Sequence, residues 1–202
     1  MTYVETLPTR PGDRDARIRE AQAAVVARMS VAPEKARSTL RTRGIVGEGL
    51  ACDVTQGKFA ATLDLGPGMG GDAAGPSPGF FARAAIVGCV AIAVKMLAAR
   101  EGLFFSAVDV EVEMDFDDAA LFGIGGGNAA PITSRIAIAI ETEEDDARVR
   151  DLVARALAMD PWFLALRDPQ HVIATIEVAH PAGKERNGAG GSNTGAMSPG
   201  KR

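Results

Sequence analysis

Two cysteines are the side chains in this sequence best suited to covalent chemistry. Cys89 stands near the middle of an apolar run from Phe80 to Ala99, in which Arg83 and Lys95 are the only charged residues. A cysteine attacks through its thiolate, so a nearby cation favours reaction and apolar surroundings oppose it. The sequence therefore leaves two interpretations of Cys89 open: a reactive thiol, or an inert residue that packs a helix.

Cys52 belongs to a different pattern. Leu50, Cys52 and Val54 fall on one face of a predicted strand, because side chains in a strand alternate between its two faces. Free cysteines are commonly buried, so Cys52 is predicted to be a core residue. Two cysteines in apolar stretches do not make a disulfide framework, which predicts a reducing, cytoplasmic location.

A long helix must position Cys89. The stretch Pro76–Glu101 opens with a Ser-Pro turn that suits a helix start, and the helix would be about 35 Å long. It shows almost no polar face, which predicts burial on most sides. A membrane span is disfavoured by the two interior charges, by the preceding Gly/Pro loop and by a run shorter than the roughly 20 apolar residues a bilayer needs.

The remaining elements follow from hydrophobic periodicity. An N-terminal helix is expected over Asp13–Met29, with Ile18, Ala21, Val25 and Met29 on one face. A second helix begins after a capping box formed by Thr142 and Asp145 and ends before Pro161. Strands are expected at Leu50–Thr55, Lys58–Asp64, Val108–Phe116, Ile132–Ile140 and Val172–Val178.

Three segments resemble binding-site motifs but lack the neighbouring residues or elements that such sites require. The Gly-rich loop 65–77 lacks the lysine of a phosphate-binding P-loop. The segment GIGGGNAAP contains the Gly-x-Gly of a dinucleotide-binding motif, but it neither follows a strand nor opens a helix, as that motif requires. The acidic row Asp109–Asp117 lies on one strand face, where solvation is favoured over metal binding and Arg135 can pair across to it. No cofactor and no metal is therefore predicted. The net charge of -4 argues against a nucleic-acid partner.

The ends of the chain differ from its middle. Residues 1–43 carry nine Lys/Arg against five Asp/Glu, and the interspersed acids favour a packing arm over a transit peptide. Residues after Pro181 have almost no apolar side chain to bury. The predicted organisation is a basic helical arm (1–38), a folded domain (39–180) and a disordered tail (181–202).

The order of elements, together with GPSPGFFARAAIVGC and MDPWFLALRDP, resembles the OsmC/Ohr family, which is associated with organic hydroperoxide resistance. The resemblance covers about Arg41 to Val178, and its most specific feature is Pro78 eleven residues before Cys89. It implies an α+β fold, with antiparallel sheets packed around a long buried central helix. It also implies an intertwined homodimer with paired sites at the interface.

The resemblance implies a thiol that attacks the peroxide, an Arg and a Glu that activate it, and a second Cys that closes a disulfide. Cys89 matches the first thiol. Asp160 stands at the second-Cys position, Gly79 at the Glu position, and Glu48 near the position of the Arg. Candidate replacement cations are Arg41, Arg43 and Arg83.

Three functions follow as hypotheses. The first is a stress-response homodimer in which Cys89 reduces organic hydroperoxides weakly, with an external thiol as reductant. The second is a non-catalytic homodimer that binds a small apolar ligand at its interface pocket. The third is a purely structural or partner-binding dimer. Neither a membrane nor a nucleic acid is an expected partner.

Overall fold

The computed structural model describes residues 12–179, which contain five α-helices and five strands. The helices are α1 (Asp13–Val31), α2 (Pro78–Glu101), α3 (Asp118–Leu121), α4 (Asp146–Leu157) and α5 (Pro161–Arg167). The strands are β1 (Arg43–Val46), β2 (Cys52–Gln56), β3 (Phe59–Leu63), β4 (Phe105–Asp115) and β5 (Thr133–Thr142). Their order along the chain is α1, β1, β2, β3, α2, β4, α3, β5, α4, α5.

Strands β4 and β5 form an antiparallel pair whose two faces differ in chemistry. The register places Val110 opposite Ile138 and Glu113 opposite Arg135. As predicted, Arg135 pairs with the acidic row, because its guanidinium lies 3.0 Å from Glu113 and 2.6 Å from Asp115. These exposed pairs add little stability individually, but they mark the outer face of the strands. The apolar face is therefore the one that packs on α2.

Helix α2 begins and ends as its sequence predicts. The Ser77 hydroxyl accepts a hydrogen bond from the Phe80 N–H at 3.2 Å, and Pro78 is the first helical residue. Gly102 closes the helix in the left-handed conformation, with φ 79°. The prediction of burial on most sides is wrong for the single chain, since Phe80 is 51% exposed and Ile92 60% exposed.

The buried side of α2 organises the core. Ile86 and Val90 pack against Val110 of β4, while Val94, Leu97 and Ala98 pack against Phe105 of β4 and Leu152 of α4. By length and composition α2 could also cross a membrane, but the core helix of a soluble protein passes the same test. Its packing against β4, α1, α4 and α5 describes a core helix.

Helix α1 confirms the predicted N-terminal helix, on a face rotated from the expected one. Asp15 is buried and lies 2.9 Å from Lys95 of α2, and Arg19 donates to the Ala99 carbonyl at 2.9 Å. Met29, expected on the packed face, is exposed. Polar contacts to α2 take precedence here because a partly buried lysine needs a partner.

Three more expectations require correction. Asp145 alone caps α4, accepting from the Ala147 and Arg148 N–H groups, while Thr142 donates to the Phe104 carbonyl. Helix α5 was not predicted as a helix. Residues 172–178, predicted as a last strand, form no strand, and their large apolar side chains are exposed.

The chain divides after Pro169 into two units, so residues 170–179 do not belong to the unit that contains α1 to α5. The domain boundaries proposed above stay a prediction, and the tail 181–202 lies outside the described residues.

Strands β1, β2 and β3 form an antiparallel meander, closed between β2 and β3 by Gly57 with φ 58°. Among the described residues, this meander makes no extensive contact with any helix.

Candidate functional site

Cys89 lies on α2 beside the row of buried residues that packs on the strand pair. Its neighbour Val90 is fully buried, whereas Cys89 itself is half-buried. The turn of α2 that carries Cys89 faces the start of α5, because Cys89 interacts with Asp160 and with the backbone N–H of Trp162. The thiol is therefore held between a rigid core helix and a short helix, with part of its surface reaching solvent.

Asp160 is the residue through which α5 meets this thiol. It caps α5, with its Oδ1 accepting the Phe163 N–H at 2.7 Å, and Pro161 follows it as the first helical residue. Its side chain is fully buried. The second carboxylate oxygen, Oδ2, is buried as well and has no hydrogen-bond partner among the described residues.

The environment of Cys89 disfavours its thiolate. Burial, and then contact with the Asp160 carboxylate, raise the pKa of the Cys89 thiol to about 11. The backbone N–H of Trp162 acts in the opposite direction and lowers the pKa of Cys89, but by less. The contact between thiol and carboxylate is weak, because a thiol is a weak donor and Oδ2 has no regular hydrogen-bond partner among the described residues. At neutral pH the thiol is therefore protonated.

No cation of the described chain offsets this effect, because the groups that move the Cys89 pKa are burial, Asp160 and Trp162. Arg83 lies on α2 but points to the start of the helix. Its guanidinium stands 3.2 Å from the place that a β-carbon on Gly79 would occupy. Gly79, at the position where the resemblance expects a Glu, thus leaves room for an arginine side chain.

Arg41 and Arg43 are not brought to the thiol within one chain. Arg43 opens β1 and Arg41 precedes it, so both are exposed residues of the meander. Glu48 lies between β1 and β2, also in the meander. Among the predicted site residues, the structure brings together only Cys89 and Asp160. The roles of all of them stay a prediction.

Cys52 does not occupy the core position predicted for it. It is half-buried on β2, and its sulfur lies 3.1 Å from the place of a β-carbon on Gly44 of β1. The alternation did predict its strand. The prediction of burial failed because, in the part of the chain that the structure describes, the meander makes no extensive contact with a helix.

The sequence reading missed Trp162 and the helix that presents it. Pro161 directly after Asp160 is the signal that could have found both, since an Asp followed by Pro is a typical helix start.

Within residues 12–179, no group of three His, Cys, Asp or Glu side chains could hold a metal ion. The chemistry of the candidate site is thus that of one thiol and one buried carboxylate.

Comparison with known proteins gives a family and a fold. The family model of OsmC-like proteins matches residues 70–173, which is just over half of the chain and includes both Cys89 and Asp160. No curated protein sequence matches. An OsmC-like protein from Mycoplasma pneumoniae superposes with a TM-score of 0.56 at 12% identity, over 64% of this chain and 88% of its own.

Two further structures resemble the chain less closely in shape. An organic hydroperoxide resistance protein OsmC from Legionella pneumophila gives a TM-score of 0.47 at 17% identity, over 64% of this chain and 90% of its own. An OsmC-like hydroperoxide resistance protein from Jannaschia gives 0.45 at 21% identity, over 68% and 90%. At these identities structural likeness concerns the fold alone.

Proposed function

The chain belongs to the OsmC-like protein family, and from this premise we propose that it is a stress-response protein in which Cys89 slowly reduces organic hydroperoxides with the help of an external thiol. The observation that carries the proposal is the placement of Cys89, half-buried on α2 with part of its surface open to a reactant. Asp160 opposite the thiol supports the dependence on an external reductant, because a carboxylate cannot close a disulfide.

The proposed reaction uses one protein sulfur. The Cys89 thiolate attacks the outer peroxide oxygen, the O–O bond breaks, and the alcohol leaves after taking a proton, so that Cys89 becomes a sulfenic acid. An external thiol condenses with the sulfenic acid, releasing water and forming a mixed disulfide. A second thiol then attacks this disulfide and frees Cys89. The two electrons that reduce the peroxide come from the two external thiols.

The raised pKa of Cys89 limits the first step. With a pKa of about 11, about one Cys89 in ten thousand is a thiolate at pH 7. The rate therefore depends on a cation that the single chain does not bring to the thiol. We propose that a homodimer supplies it from the meander of the partner, where Arg41 and Arg43 are the candidates.

Exposed apolar surface supports the homodimer. Ile45 and Val46 of β1 and Phe59 of β3 are exposed, as are Phe80 and Ile92 of α2. Monomeric proteins rarely leave such a set uncovered, and self-association is the commonest way to cover it. We expect light scattering at micromolar concentration to give the mass of a dimer, with the N-terminal arm intact. A monomer under these conditions would contradict the proposed assembly.

A second candidate function is a non-catalytic homodimer that binds a small apolar ligand at its interface. The observation that favours it is the raised pKa of Cys89, since a thiol that stays protonated at neutral pH is a poor nucleophile. A purely structural dimer is the remaining alternative. A cytoplasmic location stays a prediction.

A turnover assay tests the proposed function. Consumption of an organic hydroperoxide with excess dithiol is measured for the wild type, Cys89→Ser and Cys52→Ser. We expect slow but measurable turnover that falls to the background of the uncatalysed reaction in Cys89→Ser and stays unchanged in Cys52→Ser. Equal rates in the wild type and Cys89→Ser would contradict the proposed peroxidase activity. The ligand-binding and the structural dimer would then be the remaining hypotheses.

A further inference from the structure

The loop between β3 and α2 is closed on itself. Asp64 directly follows β3, and its backbone N–H donates to the carbonyl of Pro76 at 3.2 Å. Pro76 in turn lies just before Ser77, the residue that caps α2. Residues 65–75 therefore form a compact loop whose two ends meet, as in an Ω-loop. The end of the strand and the start of the helix are thereby held together.

The buried carboxylate of Asp64 organises the interior of this loop. Its Oδ1 accepts the Leu65 N–H at 2.7 Å, and its Oδ2 accepts the N–H groups of Asp72 at 3.1 Å and Ala74 at 3.0 Å. These hydrogen bonds, first the one from Ala74, lower the pKa of Asp64 against the opposite effect of burial. One charged acceptor thus holds both sides of the loop.

Two glycines allow the loop to close this tightly. A β-carbon on Gly75 would lie 2.0 Å from the Thr62 carbonyl oxygen, and one on Gly71 would lie 2.1 Å from the Leu65 carbonyl oxygen. Side chains with a β-carbon cannot approach a backbone oxygen so closely, so both positions require glycine. The loop therefore has little freedom to take another shape.

This closed loop determines how the meander lies relative to α2. Among residues 12–179, the meander makes no extensive contact with a helix or with β4 and β5. Its other connection, residues 37–42 between α1 and β1, is exposed and contains neither helix nor strand. The closure between Asp64 and Pro76 is therefore the main restraint that the described residues place on the direction of the meander.

We propose that Asp64 is a positioning residue that, by closing this loop, directs the meander with Arg41 and Arg43 towards the thiol of the partner. The inference rests on the proposed function, which takes its missing cation from this meander. A meander whose direction is fixed before two protomers meet loses less conformational freedom on docking, and it holds the cation at one distance from the thiol. Asp64 acts through the meander and not by contact with a reactant.

Distances between two spin labels test this restraint. The full-length protein, with Cys52→Ser and Cys89→Ser, carries one label on β3 (Ala60→Cys) and one on α2 (Arg100→Cys), both at exposed positions. It is diluted with unlabelled protein, so that only pairs within one chain are measured. We expect a narrow distance distribution. Asp64→Ala, which removes all three hydrogen bonds of the carboxylate, should broaden it, and Asp64→Asn, which keeps one acceptor oxygen, should broaden it less.

A second variant and a matched control separate the loop from the charge. Gly75→Ala leaves the carboxylate in place and should open the loop through its clash with the Thr62 carbonyl. Asp53→Ala is the control, because Asp53 is a carboxylate of the meander that accepts a hydrogen bond from the Thr62 hydroxyl at 2.8 Å but lies outside the loop. It should leave the distribution narrow. Circular dichroism identifies the variants that keep the fold.

Alkylation of Cys89 by iodoacetamide tests whether the restraint matters to the thiol. In Cys52→Ser protein at pH 8, Asp64→Ala and Gly75→Ala should react severalfold more slowly than the parent. Their pH curves should shift upward, because the cation of the partner is no longer held near the thiol. Asp53→Ala should react at the parent rate. A merely structural role of Asp64 would broaden the distances and leave the pH curve in place.

An unchanged distance distribution in the folded Asp64 and Gly75 variants would overturn the inference, because another contact would then hold the meander. A broadened distribution with an unchanged pH curve of Cys89 would overturn it too, because the meander would then not act on the thiol. The proposed function is judged separately, by peroxide turnover. Shifted pH curves without turnover in the parent would keep this inference and remove the enzyme, whereas turnover with unchanged curves would do the reverse.

Discussion

Replacement of Asp160 by asparagine will speed the oxidation of Cys89 by an organic hydroperoxide severalfold at pH 7. The carboxylate is one cause of the raised pKa of Cys89, through contact and through charge. The substitution removes only the part of the pKa rise that comes from Asp160, because burial, the largest cause, remains. The thiolate fraction therefore increases, and the lower intrinsic nucleophilicity of the more acidic thiol cancels part of that gain.

The fold should survive this change. Asparagine is as good a helix cap as aspartate, so the hydrogen bond from the Phe163 N–H to residue 160 is kept. Asp145→Asn is the matched control, because it makes the same change at the cap of α4, where the side chain accepts from the Ala147 and Arg148 N–H groups. The rate is measured by stopped-flow or by trapping of the sulfenic acid. Equal rates for Asp160→Asn and Asp145→Asn would show that Asp160 does not hold back the thiol.

Replacement of Asp160 by cysteine will give a disulfide between the introduced thiol and Cys89 on treatment with organic hydroperoxide. The side chains of residues 89 and 160 interact, and a bridge requires in addition that their Cα atoms lie within about 7 Å. The sulfenic acid formed on Cys89 is attacked by the introduced thiol, and water leaves. We expect nearly complete bridging within one turnover, at a cost of about 1 kcal/mol in folding stability from loss of the cap.

Peptide mapping without reduction detects this bridge. Asp160→Ser is the control, because it keeps a capping oxygen and supplies no thiol. Turnover with an external dithiol should rise relative to the wild type, since the resolving step no longer waits for a second molecule. If Cys89 becomes oxidised and no bridge forms, the thiol and residue 160 do not approach closely enough in solution.

Local signals predicted the elements that hold the site. The Ser-Pro start and Gly102 predicted the ends of α2, because proline favours the first position of a helix and glycine favours the left-handed residue that ends one. Strict alternation along β4 predicted both the strand and the pairing of Arg135 with its acidic face. These predictions held because they depend on residues close in sequence or on a single strand pairing.

Predictions about burial failed where no helix or strand among residues 12–179 covers the apolar surface. Ile92 is apolar and exposed, and the meander that carries Cys52 makes no extensive contact with a described helix. Hydrophobicity tells which surface must be covered and not what covers it. For the same reason residues 172–178 have the alternation of a strand but pair with none, since a strand needs a neighbour as well as a pattern.

The chemistry of the site could be predicted only in outline. The resemblance aligned Asp160 with a resolving cysteine, and the structure places it beside Cys89. The sequence could not say that Asp160 also caps α5 with one oxygen and leaves the other unpaired, because both facts depend on the packing of α5 against α2. The pKa of Cys89 follows from that packing.

The most direct test of the account is the pH dependence of Cys89 alkylation in full-length Cys52→Ser protein, in its own assembly. Iodoacetamide reacts with the thiolate, so the rate should rise about tenfold per pH unit from pH 7 and level off only above pH 8. The single-chain pKa of about 11 is the upper limit, because a partner cation lowers the pKa of Cys89. In Asp160→Asn the curve should level off at lower pH. A wild-type curve that levels off at or below pH 8 would contradict the account, because Cys89 would then be an activated thiolate despite Asp160.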